Sequence, residues 1–288
     1  MEDEKLNVVG DDGICTKINR YLHRYHTIDE NLIKSIINNY LWFSDPSKFN
    51  DPYDCNLCLK SESSYDDILT YLNEENKKYH KDDNFITKRA LELYENPDER
   101  LQLLKVADQQ AIDNLGVCCF SQKDNALLMW SHYGDKHRGI CLTFDISQDT
   151  ELFKNILYNV EYPTTYPIYN WPNDRGTFKS KRFLVATKSK EWEYEDEIRI
   201  IRCDSNIPFR GEVEFNKNAF VAIKFGYKCA KYDLIAINSL LSSIEGYEHV
   251  KFYQGKLTQL AYPGYYHSDY QCIKKLMVHN IFFLCGNH

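Results

Sequence analysis

The stretch KEWEYEDEIRIIR, Lys190 to Arg202, decides how the rest of the chain is read. As a β-strand its side chains alternate between two faces. Glu193, Glu195, Glu197 and Arg199 then point one way, and Trp192, Tyr194, Ile198 and Ile200 point the other. Trp, Tyr and Ile are strand formers, which favours a strand over a helix. Same-face residues on a strand are about 6.5 to 7 Å apart, so three carboxylates in one row repel unless a cation or a substrate sits among them. Such crowding raises carboxylate pKa values and suits acid/base chemistry. The plain alternative is a half-buried strand with a solvated acidic face.

The composition sets the frame. The chain has 288 residues, 43% hydrophobic and 14% aromatic, enough apolar material for a sizeable core. A formal charge of -7 and a pI near 5.7 argue against a broad nucleic-acid or membrane surface, which needs clustered Lys and Arg. No apolar run approaches the roughly 18 residues of a spanning helix, and the acidic start MEDEKLNVVGDDG lacks the basic and apolar regions of a signal peptide. A cytoplasmic protein with no membrane partner is expected. Cys55 and Cys58 have the spacing of a zinc or redox pair, but Cys118 and Cys119 are adjacent and supply no matching second pair. Neither a metal nor disulfides are favoured.

Residues 1–15 read as a flexible acidic lead, and residues 16–288 as a single α+β domain with a helical insertion at about 61–115. The aromatic and basic strand Tyr21 to His26 carries His23, Arg24 and Tyr25. Thr27-Ile28-Asp29-Glu30 has the pattern of a capping box in which Thr27 caps the following helix. A strand Tyr40 to Ser44 then leads into a loop that two Asp-Pro steps keep extended, displaying Asn50, Asp51 and Asp54.

The block VCCFSQKDNALLMWSHYGDKHRGICLTFD, Val117 to Asp145, reads as a strand ending at Ser121, a helix Asn125 to Tyr133 and a strand from Ile140. Trp130, His132 and Tyr133 on that helix suit stacking against a flat ring and handling a proton. The alternative is that Trp130 is core and His132 a satisfied histidine. A strand-helix-strand unit follows over Phe220 to Gln254, and the aromatic tail Tyr262 to His288 is expected to pack back. Irregular spacing between strands points to α+β, with a mixed, mainly antiparallel sheet from strands near 21, 41, 118, 140, 194, 213, 221 and 251.

Together, the first strand with LWFSDPSKFNDPYD (residues 41–54), the Val117 block and WEYEDEIRII (residues 192–201) resembles a bacterial family of unknown function, DUF2971. A weaker similarity is to the ADP-ribosyltransferase fold. That resemblance implies an Arg or His on the first strand to hold NAD, here Arg24 or His23. It implies a Ser or Tyr beneath nicotinamide, here Ser44 or Ser121 with Tyr133, and a Glu-x-Glu on a later strand, here Glu195 and Glu197. Tyr25, Asn50, Asp51, Trp130 and Arg199 complete the expected NAD site, with His132 beside the catalytic group. The chain departs from that pattern in having three glutamates and no Ser-Thr-Ser strand.

On this reading the protein is an NAD-using ADP-ribosyltransferase-like enzyme, a bacterial defence or toxin effector whose acceptor is a protein or nucleic acid. Two alternatives stay open. One is a metal-dependent hydrolase or nuclease using Asp51, Asp54, Glu195 and Glu197. The other is a non-catalytic sensor in which Glu195, Glu197 and Arg199 form a buried ion-pair network.

Overall fold

Alternating apolar residues on neighbouring strands build an eight-stranded sheet whose two faces carry separate cores. The computed structural model describes residues 4–9, 15–55, 60–153, 157–165, 168–170, 172–174, 178–203, 209–257 and 268–273. Cys58 lies outside these residues, and of the aromatic tail only Ser268–Ile273 is described.

The chain opens with an antiparallel ribbon, β1 (Lys5–Val9) against β2 (Cys15–Asn19). The lead expected to fray therefore contains a strand, held because Leu6 and Val8 pack onto the core. Next come β3 (Tyr21–His26), α1 (Glu30–Asn38), β4 (Tyr40–Phe43) and the short β5 (Lys60–Ser61). Helix α1 is capped by Asp29, whose side chain accepts from the Leu32 amide at 2.9 Å. The expected Thr27 cap is displaced because Asp29 holds the extended backbone of a cap and helical residues begin only at Glu30. Asn39, in the left-handed conformation, ends the helix.

The charged insertion folds as α2 (Tyr65–Tyr79), α3 (Asp83–Glu95) and α4 (Pro97–Asp113). It has its own small core of Ile68, Ala90 and Leu93. Then follow β6 (Leu115–Ser121), α5 (Leu127–His132), β7 (Ile140–Asp145), α6 (Thr150–Phe153), β8 (Leu157–Asn159), β9 (Ile168–Tyr169) and α7 (Phe178–Val185). The remaining elements are β10 (Glu197–Cys203), β11 (Gly211–Glu214), β12 (Phe220–Phe225), α8 (Lys231–Ser243), β13 (Lys251–Leu257) and β14 (Ser268–Ile273).

The main sheet runs β14-β13-β12-β7-β3-β6-β10-β8. Among the described residues its only parallel pair is β12 with β13, the two strands that α8 connects, so the fold is α+β with a mixed, mainly antiparallel sheet. The strands expected near 41 and 213 do not join it as full members. They pair with each other as the ribbon β4-β11, tied to β6 by a single bridge, Ser44 with Val117.

Strand β10 begins at Glu197, seven residues later than the stretch predicts. Lys190–Glu195 forms a 3₁₀ turn instead, closed by Asp196 at φ +45°. Asp tolerates this left-handed conformation better than most residues. The detour sends Glu193 to solvent, where it pairs with Lys190 at 2.5 Å, so the expected four-residue charged row is broken.

From Glu197 onward the alternation holds. Ile198 and Ile200 join Cys118 and Phe120 in the large core with α1, α6, α8 and the β4-β11 ribbon. Glu197, Arg199 and Ile201 share the opposite face with Ser121, Cys119 and Val117, their direct partners on β6. Ile201 and Val117 pack there against α7, and Trp130 and Met129 of α5 pack on Tyr25 and Cys141 further along.

Candidate active site

Strands β3 and β6 meet at one register position, His23 opposite Ser121. Farther along β6 the partner is Ser44, which exchanges two backbone hydrogen bonds with Val117, each 2.9 Å. A cavity of about 300 Å³ occupies the resulting split. One wall is His23, Arg24 and Tyr25 of β3, and another is Cys119, Phe120 and Ser121 of β6. Ser44, Phe49, Asn50 and Asp54 close it from the extended loop, and Met129, Tyr133, Lys188, Glu195 and Glu197 from the far side.

The floor is a charge cluster assembled from four segments. Arg199, fully buried, donates from Nε to Glu197 Oε1 at 2.8 Å and from Nη2 to Glu197 Oε2 at 2.9 Å. It also grips Asp54 with two hydrogen bonds of 2.7 and 2.6 Å and donates to the Val185 carbonyl at 2.9 Å. Its guanidinium lies 5.4 Å from the Phe49 ring centre. Such a fork matches two carboxylates in a way lysine cannot.

Lys188, also buried, donates to Glu195 Oε2 at 2.6 Å and lies 3.5 Å from both Glu197 Oε2 and Asp54 Oδ2. Its ammonium sits 4.6 Å from the Trp192 ring centre. The remaining oxygen of Glu195 accepts from Tyr133 Oη at 2.6 Å, and Asn50 Nδ2 donates to that same hydroxyl at 3.2 Å. Ser121 Oγ donates to the Glu195 carbonyl at 2.6 Å and fixes the turn to β6.

These surroundings shift the two glutamates in opposite directions. Burial pushes the Glu197 carboxyl up, but Arg199 and Lys188 outweigh it and hold Glu197 at about 2. At Glu195 burial dominates, Glu197 adds repulsion, and Lys188 only partly offsets both, so its pKa is raised. Burial and the Glu195 charge push the Tyr133 phenol up, so it stays a hydrogen-bond donor. His23 falls to about 3, first through burial and then through the Lys224 charge. It is a neutral imidazole with Nδ1 3.1 Å from Thr143 Oγ1.

The cavity therefore gathers ten of the residues singled out from the sequence: His23, Arg24, Tyr25, Ser44, Asn50, Asp54, Ser121, Tyr133, Glu195 and Glu197. Arg199 lies beneath it as the clamp on Glu197. Trp130 is buried in the core, edge-on to Tyr25 with ring centres 5.1 Å apart. His132 is exposed, its Nδ1 2.8 Å from Tyr194 Oη. Asp51 lines a neighbouring cavity of about 160 Å³ on the other side of Phe49 and Asp54. Lys188 was not legible as a site residue, since it belongs to a basic string and only the fold places it among carboxylates. Among the described residues no group of three or more His, Cys, Asp or Glu side chains is arranged to hold a metal ion.

Residues 129–200 match a protein family of unknown function, DUF2971. The matched segment contains Tyr133, Lys188, Glu195, Glu197 and Arg199, the helix end, turn and strand that form the acidic side of the cavity. No curated protein and no solved structure matches the chain. Among the described residues no helix is long and apolar enough to cross a membrane.

Proposed function

We propose that this protein is an ADP-ribosyltransferase-like enzyme that binds NAD in the split between β3 and β6. It passes ADP-ribose to a protein or nucleic-acid acceptor, in the role of a bacterial defence or toxin effector. The observation that carries this reading is the bipolar character of the cavity. Glu197 and Arg199 share a face of the sheet with Ser121 and Cys119, whereas Arg24 projects to the other face. There Arg24 donates to Cys118 Sγ at 3.0 Å and lies 5.5 Å from the Phe120 ring centre. Carboxylates at one end and a guanidinium at the other suit a ligand with a cationic ring and an anionic pyrophosphate.

The roles follow from the chemistry. Arg24 offers the pyrophosphate a bidentate donor, and Tyr133 offers nicotinamide a ring wall. When the ribose C1′–nitrogen bond breaks, its electron pair leaves with nicotinamide and positive charge develops on the ribose. Glu197, held ionised by Arg199, stabilises that charge as it forms. The acceptor nucleophile bonds to C1′, and its proton passes to Glu195, whose raised pKa suits a general base.

The test is incubation of wild-type and Glu197→Gln protein with NAD, following nicotinamide release with and without cell lysate. Release should fall at least about 100-fold in the variant while its circular dichroism is unchanged. No release from the wild type under any condition, together with no NAD-induced thermal shift, would overturn the proposal.

A further inference from the structure

Asp51 and Asp54 stand on one loop, are each only 5% exposed, and line the same small cavity of about 160 Å³, yet only Asp54 has a cation beside it. Arg199 and Lys188 hold Asp54. Asp51 forms no ion pair among the described residues, and its buried Oδ2 has no hydrogen-bond partner. Its other oxygen accepts from the Tyr53 amide at 2.9 Å, and its carbonyl accepts from the Asp54 amide at 3.1 Å, so the loop fixes where Oδ2 points. A buried carboxylate oxygen without a donor is costly and calls for one from outside the chain.

The lining of the cavity says what that donor is. Asp51, Asp54, Cys55 and Ile112 are buried at its bottom, while Ser47 and Pro52 are exposed at its rim, which makes it a pit open to an incoming group. Pro46, Phe49, Pro52 and Ile112 supply apolar walls for a short hydrocarbon stem. A divalent metal needs several oxygen ligands, and no such group is arranged among the described residues. The fork of a guanidinium matches two carboxylate oxygens, whereas Asp51 has one to offer, with the exposed Ser47 hydroxyl as a further acceptor. A compact ammonium on a flexible stem fits a single carboxylate oxygen.

We infer that this pit is a binding site for a primary ammonium on a short apolar stem, either the end of a partner protein's lysine or a free alkylamine, with Asp51 as its counter-ion. The ammonium donates a hydrogen bond to Asp51 Oδ2, and its stem lies against the proline, phenylalanine and isoleucine walls. Phe49 and Asp54 line both cavities, so an amine held in the pit rests against the wall of the larger one. The site is independent of whether that larger cavity takes NAD.

The experiment is a methyl NMR titration of the full chain, read at the buried Ile112 side chain, with butylammonium and with 1-butanol, its neutral counterpart. Butylammonium should bind at least about tenfold more tightly, as a charge-assisted hydrogen bond outweighs a neutral one. Butylguanidinium should bind more weakly than butylammonium. Asp51→Asn, close to isosteric, should lower butylammonium affinity to that of the alcohol, and Ser47→Trp, on the exposed rim, should block entry without touching the core. A Gly-Lys-Gly peptide blocked at both ends separates the sources. Binding of the peptide as tight as that of butylammonium assigns the pit to a protein lysine, and binding of butylammonium alone assigns it to a free amine. No saturable shift up to about 100 mM butylammonium, the result if water alone satisfies Asp51, would overturn the inference. Equal affinity for the alcohol or the guanidinium, or undiminished affinity in either variant, would overturn it too.

Discussion

The two faces of the β6-β10 pair are made of the same two strands and differ in almost everything else. One presents Cys118, Phe120, Ile198 and Ile200 to the large core, where any well-shaped apolar neighbour serves. The other presents Cys119, Ser121, Glu197 and Arg199, which are stable there only because Asp54 and Lys188 arrive from elsewhere. Asp54 is 145 residues from the arginine it grips. The apolar face is thus a local property of the strands, whereas the charged face is a property of the assembled fold. A buried ion pair is also a liability, since removing one partner strands the other.

Adjacent residues of β10 put the contrast to its sharpest test. Arg199→Met leaves Asp54 and Glu197 buried with a single cation between them and should cost about 3 to 5 kcal/mol in urea unfolding. Ile200→Val, one residue on and facing the apolar core, should cost about 0.5 to 1.5 kcal/mol. Equal losses would mean that the charged face is no more demanding than the apolar one.

Acid should weaken the charged side of the sheet selectively. The folded pKa of His23, about 3, lies below its ordinary 6.5, so the unfolded chain takes up the proton first and stability falls as pH drops from 6.5 toward 3. A single such group contributes a slope of up to about 1.4 kcal/mol per pH unit. Glu197, at about 2 against an ordinary 4.5, adds stability present above 4.5 and lost as pH falls toward 2. Glu195 works the other way: with its pKa raised, stabilisation from its bound proton is lost as pH rises through the folded value. Urea midpoints measured from neutral pH down to about 4.5 should therefore fall in the wild type and fall less steeply in His23→Gln, where His26, also held at about 3 by burial, keeps its share of the slope. An unchanged slope would remove His23 from the account.

The smallest effect separates a local sequence motif from the geometry adopted. Asp29→Ala should cost about 1 kcal/mol, because Asp29 caps α1. Thr27→Ala should stay within about 0.5 kcal/mol. The reverse order would restore the capping box that the sequence suggests.

Much of the frame is legible without coordinates. Strands β6, β7, β12 and β13 and helix α8 lie within a few residues of where alternation, helical period and turn residues put them. From Glu197 onward the split of β10 into a charged and an apolar face also follows from period-two alternation alone. The 3₁₀ turn at Lys190–Glu195 was not legible, because Trp192 and Tyr194 favour a strand locally while Asp196 turns the chain.

By itself, then, the sequence determined the class of fold, the apolar layers and the residue types available for chemistry, since these depend on propensity and periodicity along a few neighbouring residues. Only the tertiary structure decided that Arg24 and the two glutamates line one cavity in a split sheet, that Lys188 is a site residue, and that Glu195 and Glu197 are shifted in opposite directions. Charge state is set by burial and by through-space neighbours, and neither is written in the order of residues along the chain.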